Sequence, residues 1–171
     1  KTNDLLDSCV DQCCSIIDLA GFFKGVSHRE IASKIFNNSK CRGKKYKSVA
    51  YYDNHTNQLM SYEGSGDPLP ARDSQVPREE RLAFWDIKHT TGSDIPVGQK
   101  MSAALTIGKN SIMRDFLQAA WRLRGLEKSQ TVRINISEND HIFIKKYLDL
   151  LGIPLEEGTL SLRKIILFLK L

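Results

Sequence analysis

Residues 83–136 carry the clearest pattern of secondary structure in the chain and read AFWDIKHTTGSDIPVGQKMSAALTIGKNSIMRDFLQAAWRLRGLEKSQTVRINI. Short apolar runs in it are separated by polar turns and by one long amphipathic segment. This alternation is typical of buried parallel strands that are connected through helices. The stretch therefore predicts a three-layer α/β domain, with helices on both faces of a mostly parallel sheet.

The same alternation continues upstream of this stretch. We predict one largely parallel sheet, formed by the apolar runs at residues 15–19, 48–52, 82–86, 102–107 and 131–136. Residues 58–62 are predicted to add a β-hairpin arm, and residues 64–80, with three prolines, to form an irregular loop. Because the carboxyl ends of parallel strands share one edge, the loop at 90–96 and the strand exit before Asn110 should lie together, where ligands bind in such sheets.

Capping signals predict where several helices begin. Ser27 and Glu30 have the Ser-x-x-Glu form of a capping box, so a helix should begin there and end near Asn37. Ser137 and Thr159 are predicted to cap two later helices through their side chains.

Length and composition limit the possible classes of protein. The 171 residues, 41% of them apolar, suffice for one α/β domain with a substantial core, spanning the whole chain. The 25 basic and 20 acidic side chains permit contact with phosphates. The longest apolar run, residues 165–169, is too short to cross a bilayer, so we expect no membrane partner.

The four cysteines lack the paired spacing of a zinc site, so no metal site is predicted. Reduced cysteines favour a cytoplasmic location. The chain does not begin with methionine, and we expect it to be a fragment of a longer protein.

Two segments resemble motifs of nucleotide-dependent motors. Thr91-Gly92-Ser93-Asp94-Ile95-Pro96 looks like motif five, and Gln118-Ala119-Ala120-Trp121-Arg122 looks like motif six with its arginine finger. In this order they resemble the second, C-terminal RecA-like lobe of superfamily-two helicases and of the SecA motor. The closest likeness is to a helicase-like domain of unknown function in very large bacterial and fungal proteins, and it extends upstream through residues 16–21 and 49–53.

The resemblance implies a composite site for ATP, shared with an N-terminal RecA-like lobe of the same protein that would bind most of the nucleotide and its Mg. It also implies a polymer substrate, either a nucleic acid or a polypeptide. A finger arginine would place fixed positive charge where phosphoryl charge develops. The residues implied are Thr90 and Thr91 for the polymer, Gly92, Asp94 and Gln118 for the cofactor ATP, and Arg122 and Arg124 for catalysis.

The second arginine departs from the family pattern. It usually follows the first by three residues, but that position is Gly125 and the available arginine is Arg124. We predict one helix carrying Gln118, Arg122 and Arg124, on which Gln118 and Arg122 share a face and Arg124 points away unless the helix ends near Gly125. The alternatives are a surface salt bridge for Arg122, a charge at the helix C-terminus for Arg124, and a simple turn at residues 92–94.

Asp86 and His89 follow a predicted strand in a spacing that resembles an Asp-Glu-x-His box. The base position is Ile87, which cannot orient a water molecule, and the sequence contains no Gly-x-x-x-x-Gly-Lys-Ser/Thr loop. We therefore expect no nucleotide hydrolysis by the chain alone, and a structural bond between Asp86 and His89 or to backbone groups.

The aromatic residues within apolar runs are interpreted as core rather than as platforms for stacking bases. They are Tyr51, Tyr52, Trp85 and Trp121.

Two functions are consistent with these features. The first is a motor lobe that supplies motif-five and motif-six residues to a shared ATP site. The second is a degenerate RecA-like module that retains the fold for protein interaction without ATPase activity, because a fold does not by itself establish a function.

Overall fold

A single seven-stranded sheet organises the chain. The computed structural model describes residues 2–12, 15–38, 46–64, 66–155 and 160–171. The strands are β1 (Ser15–Ile17), β2 (Ser48–Tyr52), β3 (Leu59–Tyr62), β4 (Leu69–Pro70), β5 (Arg81–Trp85), β6 (Ser102–Ile107) and β7 (Thr131–Ile136). Their order in the sheet is β4-β3-β2-β5-β1-β6-β7. All five predicted apolar runs lie in this sheet and pair in parallel, which confirms the predicted architecture.

Strand β1 is an internal strand of the sheet, which pairs with β5 on one side and with β6 on the other. Ile16 lies opposite Phe84 and Ala104, while Ile17 lies opposite Trp85 and Leu105. All six of these side chains are buried. A strand that is covered on both faces is buried at every position, which explains the apolar Ile16 and Ile17. Ser15 is also buried, and its hydroxyl oxygen accepts a hydrogen bond from Ala83 N at 2.8 Å.

Helices cover both faces of the sheet. The helices are α1 (Thr2–Asp11), α2 (His28–Asn37), α3 (Met113–Ala120), α4 (Glu138–Leu150) and α5 (Leu162–Leu169). On one face, the His28 ring of α2 packs edge-on against Phe84, with ring centroids 5.1 Å apart. On the other, Ile144 and Ile165 of α4 and α5 cluster with Ile107. The three-layer α/β fold is therefore confirmed.

The predicted helix caps are only partly correct. Helix α2 begins after Ser27 and ends at Asn37 as expected, but the Ser27 side chain forms no capping bond; instead, Asn54 Oδ1 accepts from the His28 backbone N–H at 2.7 Å. Ser137 does cap α4, accepting from Asp140 N at 3.2 Å. Helix α5 begins after Ser161, and the predicted cap Thr159 lies outside the described residues.

The segment 64–80 is more ordered than predicted. Residue 65 lies outside the described residues, but Leu69 and Pro70 form β4, which pairs antiparallel with β3. Residues 78–80 form a single 3₁₀ turn before β5. The hairpin arm predicted at 58–62 is confirmed as β3, antiparallel to β2. The prolines misled the prediction because an edge strand tolerates proline, which cannot donate to the sheet.

Candidate functional site

A cavity of about 770 Å³ opens at the carboxyl edge of the sheet, and we call it the edge cavity. It is lined by Thr90 and Thr91, which follow β5, by residues 108–111 at the exit of β6, and by Gln118 on α3. This confirms that the loop after β5 and the exit of β6 meet at one edge. Lys109 and Arg114 also line it, together with the carboxylates of Asp115 and Asp140.

A second concavity, of about 390 Å³, is lined by three further predicted site residues, Asp94, Arg122 and Arg124. We call it the arginine concavity. Its charged lining residues are Arg78, Asp94, Arg122, Arg124 and Lys128. Gln99 and Gln130, which precede β6 and β7, also line it, so it lies toward the amino ends of these strands. Six of the seven predicted site residues are thus divided between two surfaces, and Gly92 lines neither of them.

Helix α3 is shorter than predicted. The helix ends at Ala120, and Trp121 forms its C-cap, so the prediction of one helix carrying Gln118, Arg122 and Arg124 is wrong. The chain continues in tight turns, with Arg122 N donating to Ala119 O at 3.1 Å. Gln118 remains on α3 and lines the edge cavity. Arg122 and Arg124 follow the helix and reach the same concavity, despite the irregular spacing.

Arg122 connects the two motifs directly. Its Nε donates to the Gln118 carbonyl oxygen at 3.2 Å, and its Nη1 donates to the Ser93 carbonyl oxygen. These bonds orient the planar guanidinium against the loop at residues 92–94 through two of its nitrogens, and the third nitrogen, Nη2, carries further N–H donors. A guanidinium held in this way is positioned before any ligand arrives.

Arg124 lies beside Asp94, the carboxylate of the segment that resembles motif five. Its Nε is 4.0 Å from Asp94 Oδ1, and both side chains are about two-thirds exposed (66% and 65%). A pair this exposed contributes little to stability, on the order of 0 to 1 kcal/mol. The contact therefore leaves both groups able to exchange their partner for a ligand.

Thr90, Thr91 and Gly92 differ in what they can contact. Thr90 is 2% exposed and its hydroxyl donates to the Ile87 carbonyl oxygen at 2.9 Å, so this hydroxyl serves the turn after β5. Thr91 is exposed in the edge cavity. Gly92 has φ +72°, a left-handed conformation that favours glycine, and space is open around the position of a Cβ. The left-handed backbone conformation of this turn is therefore sufficient to explain a glycine at position 92.

Asp86 and His89 contact one another, as predicted. His89 Nδ1 is hydrogen-bonded to Asp86 Oδ1, and His89 Nε2 lies 3.0 Å from Asn57 Oδ1. Tyr52 stacks on the His89 ring, with centroids 4.0 Å apart and planes 3° apart. Asn57, in the turn between β2 and β3, has φ +57° and was missed by the sequence analysis. These contacts among Tyr52, Asn57, Asp86 and His89 hold the start of the loop that carries Thr91.

Asp18 is a second residue that the sequence analysis missed. It follows β1 at the carboxyl edge, is 2% exposed, and accepts hydrogen bonds from Phe22 N at 3.0 Å, Phe23 N at 2.9 Å and the Thr106 hydroxyl at 2.8 Å. Burial raises the pKa of the Asp18 carboxyl above its ordinary value of 3.8, and the three hydrogen bonds only partly oppose this. The sequence signal that could have identified Asp18 is an acidic residue directly after a buried strand.

The core assignment of the aromatic residues holds for Tyr51 and Trp85, which are 1% and 0% exposed. It is wrong for Trp121, which is 67% exposed. Trp121 is the C-cap of α3, so its side chain lies at the end of the helix rather than within it. Tyr52 is half-buried against His89.

The backbones of Gly98 and Glu79 lie close together beside the arginine concavity. A Cβ on Gly98 would lie 2.9 Å from the Cα of Glu79, which is closer than packed atoms tolerate. We expect Gly98→Ala to lower the free energy of unfolding by about 1 to 3 kcal/mol. Urea unfolding measures this, with exposed Lys100→Ala as the control, for which we expect a change within about 0.5 kcal/mol. Equal stability of the two variants would contradict the contact.

Among the residues that the structure describes, no three His, Cys, Asp or Glu side chains are arranged to hold a metal ion. No helix in the same part of the chain is long and apolar enough to cross a membrane. A comparison with known protein families finds no matching family, and comparisons with curated proteins and with solved structures find no similar protein.

Proposed function

We propose that this chain acts as the second RecA-like lobe of a helicase-like or SecA-like motor and contributes one side of a shared ATP site. The observation that carries the proposal is the contact between the two motif segments. Arg122 donates to the Ser93 carbonyl across 29 residues of sequence, and Arg124 lies beside Asp94. Two segments this far apart in sequence do not meet in every α/β domain. In this chain they meet, and basic side chains surround the contact.

The proposed chemistry assigns different tasks to the two surfaces. In the arginine concavity, Arg122 and Arg124 stabilise the negative charge that develops during phosphoryl transfer, and Asp94 helps to hold the nucleotide. In the edge cavity, Thr91 contacts the polymer, nucleic acid or polypeptide, and Gln118 connects the two surfaces through its carbonyl bond to Arg122. The motor would work in the cytoplasm.

Another lobe must supply the rest of the ATP site. The sequence contains no Gly-x-x-x-x-Gly-Lys-Ser/Thr loop, whose backbone N–H groups would surround the phosphates. Ile87 occupies the position where a carboxylate would orient water, and its side chain is 47% exposed. The phosphate loop, the Mg and the water-positioning carboxylate would therefore come from the N-terminal RecA-like lobe.

The purified chain should bind ATP weakly and show no turnover, because it holds only the arginine side of the site. A fluorescent ATP analogue measures binding, and a coupled assay measures hydrolysis. Arg122→Ala serves as the control, since contaminating activity would persist in this variant. Turnover that co-elutes with the folded chain and disappears in Arg122→Ala would contradict a half-site.

A degenerate interaction module is the alternative function, and exposed apolar side chains favour it. Trp121 is 67% exposed and Leu117, four residues earlier, is 47% exposed. If the full-length protein shows no nucleotide-dependent activity while Trp121→Ala abolishes binding of a protein partner, the interaction module is the better account.

A further inference from the structure

The arginine concavity has a strong excess of positive charge that the motif residues alone do not account for. Arg78 and Lys128 line it together with Arg122 and Arg124, and Asp94 is the single carboxylate among its lining residues. Arg78 comes from the 3₁₀ turn before β5, and Lys128 from the turns before β7. Side chains from three separate segments of the chain thus meet around one volume.

Buried hydrogen bonds hold the walls of this volume in place. Gln130 is 5% exposed, and its Nε2 donates to the Gly98 carbonyl oxygen at 2.7 Å. Its Oε1 accepts from the Gly125 backbone N–H at 2.7 Å. Ser129 adds a bond from its hydroxyl to the Gln99 carbonyl oxygen. Because these bonds join the loop at 97–99 to the turns at 125–130, the concavity exists without a ligand.

The internal partners of the basic groups are weak competitors for an anion. Arg78 pairs with the adjacent Glu79 at 3.2 Å, and the Arg78 side chain is 59% exposed. Arg124 pairs with Asp94 at 4.0 Å. Exposed pairs of this kind contribute little. An anion that contacts several guanidinium groups at once forms stronger, charge-assisted hydrogen bonds.

We propose that the arginine concavity binds a chain of phosphates carried by a small molecule, and that Arg78 and Lys128 contact these phosphates alongside Arg122 and Arg124. This deepens the proposed function and rests on it in part. Guanidinium groups match the geometry of phosphate oxygens, and an ammonium group acts as a further point charge. A volume of about 390 Å³ falls within the range of small-molecule sites.

The direct test uses inorganic triphosphate as the probe and the 171-residue chain as the protein. Isothermal titration calorimetry should detect binding that weakens about tenfold in Arg78→Ala and again in Lys128→Ala, the loss expected for one charged hydrogen bond. Arg78→Lys should recover part of the affinity. Arg163→Ala, which removes an exposed charge of α5, should bind as the unmodified chain does. Thermal unfolding of each variant confirms that it is folded.

Several results would overturn the inference. One is the absence of measurable triphosphate binding, and another is an equal affinity in Arg78→Ala, Lys128→Ala and Arg163→Ala. A third is binding of single-stranded RNA or DNA that requires Arg78 while triphosphate does not compete, because the surface would then serve a polymer.

The inference and the motor proposal can fail separately. If triphosphate binds through Arg78 but Arg122→Ala leaves turnover of the full-length protein unchanged, the phosphate site stands and the motor role fails. If Arg122→Ala abolishes turnover while Arg78→Ala and Lys128→Ala leave triphosphate affinity unchanged, the motor role stands and this inference fails.

Discussion

Replacing Arg122 with alanine in the full-length protein should lower ATP turnover by about a thousandfold, the effect expected for loss of a finger arginine. The structure explains why the loss should be large. Arg122 is held by the Gln118 and Ser93 carbonyl oxygens, so its charge is already oriented when phosphoryl charge develops. A steady-state assay at saturating ATP measures the effect, and circular dichroism confirms the fold.

Two further variants make this test specific. Arg122→Lys keeps the charge but cannot form both carbonyl bonds in the same geometry, so it should recover little activity. Arg124→Ala should lower turnover less than Arg122→Ala, because Arg124 is 66% exposed and its contact to Asp94 is long. Unchanged turnover of Arg122→Ala, in a full-length protein shown to be an active ATPase, would remove the finger role and favour the interaction module.

Replacing Asp18 with alanine should lower the free energy of unfolding by about 3 kcal/mol, because it leaves two backbone N–H groups and one hydroxyl without their acceptor in a buried place. The N–H groups belong to Phe22 and Phe23, and the hydroxyl to Thr106 of β6. The loop after β1 would lose its connection to β6. Urea unfolding measures the change, and Asp149→Ala, at an exposed position of α4, is the control.

Asp18 also predicts how stability depends on pH. Since burial raises the pKa of Asp18 in the folded chain above 3.8, the folded state binds more protons than the unfolded state between these two pKa values. This contribution is fully present below the unfolded pKa and is lost as pH rises through the folded pKa. Asp18→Asn should remove it, whereas Asp149→Asn should leave the pH profile unchanged. Parallel profiles for Asp18→Asn and the unmodified chain would contradict the assignment.

The sheet was predictable from the sequence because burial on both faces imposes a local rule. Each parallel strand must be apolar at consecutive positions, and β1, β5 and β6 satisfy this rule within short runs bounded by polar turns. The same holds for α4, which begins at Ser137 and ends near Gly152, a glycine with φ +70°. These features depend on residues that are near one another in the chain.

The end of α3 could not be predicted in this way. The sequence from Gln118 to Arg124 predicted one continuous helix, but the helix ends at Ala120. The turns that follow are stabilised by Gly125, whose carbonyl oxygen accepts from three backbone N–H groups, and by the buried amide of Gln130. Periodicity does not report such contacts.

Apolar patterning was enough to predict the fold class and the parallel strands. It could not predict that Thr91 and Gln118 line the edge cavity while Asp94, Arg122 and Arg124 line another surface, where Arg78 and Lys128 join them. The cause is distance along the chain. Apolar patterning acts within a few residues, whereas a site is assembled by hydrogen bonds between segments that folding brings together, such as the bond from Arg122 to Ser93.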